Sequence, residues 1–119
     1  MNVRVAVATR DGKHVNEHFA RARRFLVYDH VDGCWECREE RHNQVPFSGN
    51  GHCDNLLEKT ADLIADCGGV IVEHIGPGAT DFLLGRRIMP ITLNGPIEAA
   101  LQVLIESNSM RFFSSTILS

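Results

Sequence analysis

The second half of the chain alternates apolar strand runs with helical stripes, and that alternation narrows the possible folds more than any other feature. Val70–His74 reads as a strand, Ala79–Arg86 as a helix and Ile88–Leu93 as a strand. Pro96–Glu106 follows as a helix with proline in its first turn. Strands joined through helices lie parallel with right-handed crossovers. A sheet built that way needs helices on both faces. Ahead of this unit, Asn2–Thr9 reads as a strand, and Phe25–His30 with Trp35–Asn43 reads as a hairpin around the turn Asp32-Gly33. The polar run Val45–Gly51 has the Pro, Gly, Ser and Asn content of a mobile connection. A helix is then predicted from Asn55, whose spacing to Glu58 is that of a capping box. Its apolar stripe is Leu56, Leu57, Thr60, Ala61, Leu63 and Ile64, and it ends at Cys67-Gly68-Gly69. The expected fold class is α/β: a single three-layer domain over residues 1–106 with a mixed sheet of about five strands and helices on both faces. Residues 107–119 are expected to form a partly ordered C-terminal tail.

At 119 residues the chain is long enough for one domain and too short for two of ordinary size. A net charge of −3 provides no basic field for nucleic acid. Arg4 interrupts the first apolar run, which therefore lacks the core of a secretory leader, and no run approaches the ~18 apolar residues of a membrane span. The expectation is a cytoplasmic protein with no nucleic-acid and no membrane partner. Its four cysteines are then expected to be reduced.

Chemistry-bearing residues gather at the predicted strand exits. Asp11–Phe19 follows the first strand and carries His14 and His18, the latter beside Phe19, in the position where open α/β sheets hold ligands. Neutral imidazole is the commonest protein metal ligand. A metal or cluster site and a surface loop with two incidental histidines both fit this spacing. His52-Cys53-Asp54 places an imidazole and a thiol just before a helix, whose N-terminus favours the thiolate form that binds metal. Cys53 is thus the preferred cysteine ligand, against the alternative of a loop cysteine without a role. Gly76-Pro77-Gly78 opens a helix after Glu73-His74 and outlines an anion site, although no phosphate-loop lysine follows. Cys34 and Cys37 have CxxC spacing, but on a regular strand residues three apart face opposite sides, so simple packing of one or the other on the sheet is the favoured reading. Cys67 falls on the apolar rhythm at a helix end and reads as a packing residue.

Taken in order, Val3–Ala8, Asp11–Phe19, Arg21-Ala22 with Phe25–Tyr28, Leu63–Cys67, Val70–Val72 with Ile75–Pro77, and Gly95–Leu101 resemble the dinitrogenase iron-molybdenum cofactor biosynthesis family, the NifX, NafY and NifB C-terminal-domain-like proteins. The resemblance runs to about Leu104, with one departure: Ala20 stands where the family usually has glycine after the His-Phe pair, which predicts a loop less free to take positive φ. The resemblance implies a ribonuclease H-like topology. It also implies a carrier, not itself an enzyme, whose transient cargo is the iron-molybdenum cofactor or an iron-sulfur precursor cluster and whose partner is a cofactor-assembly or acceptor protein. On that reading His18 is the first metal ligand and Cys53 the second, with His14, His52 and His74 as secondary candidates. Phe19, Ile75, Gly76 and Gly78 then border the cargo. Sulfur and imidazole donors suit such a cluster, and one or two ligands would leave it transferable.

Two other classes compete. A metal-dependent nuclease on the same fold would need clustered carboxylates, yet Val3–Ala8 and Val70–Val72 contain none, and Asp11, Glu17 and Glu73 are the carboxylates near the proposed rim. A regulatory protein-interaction module without cofactor would use Trp35, Phe47 and Phe112-Phe113 as a contact surface.

Overall fold

The structure is a computed structural model that describes residues 3–31, 33–43 and 53–106, with the side chains of residues 20, 53–57, 105 and 106 left aside. Strand β1 (Val3–Ala8) pairs antiparallel with β3 (Arg24–Val31), and β3 pairs antiparallel with β4 (Cys34–His42). On its other side β1 pairs parallel with β5 (Gly69–Val72), which pairs parallel with β6 (Met89–Thr92). The result is one mixed five-stranded sheet in the order β4-β3-β1-β5-β6. The number of strands, the hairpin and the parallel half are those expected from the sequence.

Alternation along the strands decides which helix covers which face. Ala6, Ala8, Phe25, Val27, Val70 and Val72 lie in one core layer with Ala61 and Ile64, at the end of helix α1 (Cys53–Leu63), and with Leu83 of helix α2 (Pro77–Gly85). Val3, Val5, Val7, Leu26 and Ile71 point the other way, against Ile97, Ala100, Leu101 and Leu104 of helix α3 (Ile97–Glu106). Both faces of the central strands are therefore buried, as an α/β sheet requires, while the edge strand β4 is mostly exposed.

Several boundaries differ from expectation. Helix α1 begins at Cys53, so Asn55 lies inside it and is not its cap. Helix α2 begins at Pro77 and not at Ala79, because Gly76 in extended backbone can end the strand exit and the ring of Pro77 presets its own φ to the helical value. Pro96 is not the first helical residue: with Gly95 it forms a two-residue strand, β7, paired antiparallel with β2 (His14–Val15). The Ile97 N–H then donates to Lys13 O at 2.9 Å. The loop after β1 is thus fastened to the start of α3, and Gly95 takes a φ of 95°, which glycine adopts without strain. The predicted connection over 45–51 and the tail over 107–119 lie outside the described residues. Among the described residues, no helix is long and apolar enough to cross a membrane.

Ion pairs tie the amino end of β1 and the β4 edge to the turn before β5. Arg4 Nε donates to Asp29 at 2.7 Å and its Nη1 to Asp66 at 2.7 Å, while Arg38 Nε reaches Asp29 at 3.1 Å. Arg41 donates to Leu63 O at 2.8 Å and to both oxygens of Asp66 at 2.6 and 2.8 Å. These guanidinium bonds hold the carboxyls of Asp29 and Asp66 below the usual carboxylate range, Arg4 acting chiefly on the first and Arg41 on the second.

Candidate metal centre

At the carboxyl end of the sheet, β1 stops at Ala8 and β5 at Val72, and beyond them the loop after β1 returns to lie beside residues 73–74. The Glu73 N–H donates to Glu17 O at 2.9 Å and the Phe19 N–H to His74 O at 2.9 Å, which aligns His18 with His74 in a parallel bridge. Their imidazoles stack with centroids 4.7 Å apart and planes inclined by 28°. Both side chains are exposed, and Glu73 beside them is half-buried. Ligating atoms of His18, Glu73 and His74 all lie within 4.8 Å of one another, the one group of three such residues among those described that could hold a metal ion.

The loop that presents His18 is held from both sides. Asp11 Oδ1 accepts the N–H groups of Lys13 and His14, each at 2.9 Å, and Asp11 Oδ2 meets His14 Nδ1 at 2.9 Å. The Lys13 backbone N–H and the His14 ring together pull the Asp11 carboxyl well below its ordinary range. Glu17 is 6% exposed and ion-paired with Arg10 at 3.2 Å. Phe19 is 1% exposed and packs its ring against Phe25. A 3-10 turn, Phe19–Arg21, then leads into β3.

The structure separates the residues that the sequence put forward. His18 and His74 meet at the rim, and Glu73 joins them although the sequence reading did not count it as a ligand; its signal was a Glu-His pair directly after an apolar strand. His14 is exposed but committed to Asp11 and stands outside the three-residue group. Phe19 belongs to the core and not to a cargo surface, because the 3-10 turn aims its ring at Phe25. Ile75 is half-buried against the same core layer. Gly76 and Gly78 are exposed at the start of α2, which has no side-chain cap, so first-turn N–H groups face outward near His74. His52 lies outside the described residues. Cys53 is the first residue of α1, and its side chain is among those left aside. Ala20 sits in the 3-10 turn and not in left-handed backbone, so the missing glycine imposes no strain there.

The remaining cysteines are apart from the rim. Cys34 and Cys37 are both exposed, contrary to the reading that one packs on the sheet, because β4 is an edge strand with little covering it. Their regular pairing with Val31 and Tyr28 turns them to opposite faces, as the spacing required. Cys67 is 3% exposed, and burial, with Asp66 nearby, pushes its thiol up to about 12. It is a packing thiol, as the sequence indicated.

A family model described as dinitrogenase iron-molybdenum cofactor matches residues 1–107. The chain belongs to the dinitrogenase iron-molybdenum cofactor family. One relative within the reach of this family is the FeMo cofactor biosynthesis protein NifB of Frankia alni, 31% identical over 101 residues that make up 82% of this chain and 20% of that protein. The chain thus spans about a fifth of the length of that relative. Protein NifX of Sinorhizobium fredii is 28% identical over 116 residues, covering 91% of this chain and 69% of NifX. The apo form of the orange protein from Desulfovibrio gigas shares the fold, with a TM-score of 0.66 at 23% identity over 87% of this chain and 88% of that one.

Proposed function

We propose that this chain is a cytoplasmic carrier, and not an enzyme, that binds the iron-molybdenum cofactor or an iron-sulfur precursor during cofactor assembly and passes it to an acceptor protein. The observation that carries this reading is His18: an exposed imidazole, fixed through its backbone to the end of β5, on a rim beside the uncapped start of α2. Membership of the cofactor family and the likeness to NifB and NifX support the same reading. Imidazole supplies one replaceable bond to a metal of the cluster, and outward N–H groups at a helix N-terminus suit an anionic cargo. Cys53, at the start of α1, is the proposed second ligand, with His52, Gly76 and Gly78 bordering the cargo. The strand order, with an antiparallel hairpin on one edge of a parallel half, supports a ribonuclease H-like assignment of the topology.

The test is anaerobic incubation with the isolated cluster, gel filtration, and iron and visible-absorption analysis of the protein fraction. Iron near stoichiometry is expected. His18→Ala should weaken binding by about tenfold or more, equal to about 1.4 kcal/mol, while unfolding as the unmodified chain does. His30→Ala is the control, since His30 lies on β3 against Trp35. Protein that emerges free of iron, or His18→Ala that binds as tightly as the control, would refute the reading.

A further inference from the structure

We propose that His18, Glu73 and His74 together form a three-ligand site for a single divalent first-row ion of the Fe2+, Co2+ and Zn2+ class, which the chain takes up without any cluster. The inference shares His18 with the carrier reading and otherwise stands on Glu73 and His74, which that reading does not need.

Two independent observations carry it. The first is convergence: the imidazole of His18 in the loop after β1 and the adjacent Glu73 and His74 after β5 bring their donor atoms within 4.8 Å of one another. The second is that these donors are uncommitted. His14 is bonded to Asp11 and Glu17 is paired with Arg10, whereas the side chains of His18, Glu73 and His74 make no hydrogen bond or ion pair among the described residues. The two imidazoles instead stack on each other, with centroids at 4.7 Å.

Stacked rings point their lone pairs along their own planes, so the arrangement is that of the metal-free form. Ligand bonds of about 2.0–2.2 Å place donors about 3.5 Å apart around a tetrahedral ion, so donors within 4.8 Å of one another must close by at most about 1.3 Å. Tilting the rings achieves that. Both imidazoles are exposed and rotate without disturbing the core, while the backbone bonds Glu73 N–H to Glu17 O and Phe19 N–H to His74 O hold the frame still. Two nitrogens and one carboxylate oxygen suit borderline ions rather than Mg2+ or Ca2+, and three protein ligands leave coordination positions open for solvent or a further donor.

The test uses metal-free protein, titrated anaerobically with Co2+ by visible absorption and with Zn2+ by calorimetry. One ion per chain is expected. Loss of an outer-shell partner already costs about 10–100-fold in metal affinity, so Glu73→Gln, His74→Ala and His18→Ala should each weaken binding by about tenfold or more. His30→Ala should leave it unchanged, and far-UV circular dichroism should show all four variants folded. Absence of Co2+ binding, or binding retained in both Glu73→Gln and His74→Ala, overturns the inference. Cluster uptake measured on the same preparations separates the two proposals: cluster without ion sinks this one, and ion without cluster sinks the carrier.

Discussion

His18 and Phe19 are neighbours in sequence with opposite environments. The imidazole faces solvent, and the phenyl ring is 1% exposed in the core. One residue presents chemistry and the next anchors it, so the two substitutions should separate cleanly. Phe19→Ala should cost about 3–5 kcal/mol in urea denaturation, as large-to-small core changes do. His18→Ala should stay within about 0.5 kcal/mol, the range of a surface change. Cys67 offers a second contrast at this scale. Its thiol, pushed up to about 12 by burial, should resist a disulfide reagent in native protein, while Cys34 and Cys37 react at once. Because the folded thiol holds its proton above the unfolded value of 9.0, the stability it contributes is present below that pH and is lost as pH rises from there through about 12. Urea midpoints that fall over this range in the unmodified chain, and fall less in Cys67→Ala, would check the sign.

Among the elements, strands and helices were legible because each carries its own periodicity. The apolar runs of β1 and β5 and the stripe ending in Ala61 and Ile64 needed no distant information. The pairing of β2 with β7, and of His18 with His74, is non-local, and no spacing in the sequence encodes which residue a loop will meet. That is why His18 could be picked out alone, His74 only as secondary, and Glu73 not at all. The cysteine pair shows the converse: strand alternation told correctly that Cys34 and Cys37 face apart, while their exposure depended on β4 being an edge, a property of the assembled sheet. Arg41 is the device that ties this edge to α1, through Leu63 O and Asp66. Arg41→Met should destabilise the protein by about 1–3 kcal/mol, because it removes the charged donor from the part-buried Leu63 carbonyl and leaves Asp66 with Arg4 alone. Hydrogen exchange should quicken in β4 before the central strands, and equal protection throughout would show that the clamp is not local. Ile64→Ala, fully buried, should cost about 2–5 kcal/mol, and the half-buried Leu63 less.

Across the whole molecule the two ends of the sheet differ in kind. Near the amino ends of β1 and β5, Asp29 and Asp66 are held by Arg4, Arg38 and the long side chain of Arg41, and loops form the carboxyl end. Both carboxyls titrate below their ordinary value in the folded state, so the stability they provide is present above the unfolded value of 3.8 and is lost as pH falls through the depressed folded values. Denaturation midpoints should therefore drop steeply below about pH 4. Asp66→Asn should flatten that drop, and an unchanged slope would remove the network from the account. The bridge between His18 and His74, and the short ladder that fastens their loop to the start of α3, join parts of the chain far apart in sequence. Closing such long loops is among the slow, entropically costly steps of folding, rewarded only once the intervening strands are in place. The paired imidazoles consequently do not exist on a chain still leaving the ribosome, and the proposed ion site would form only after the protein has acquired its shape.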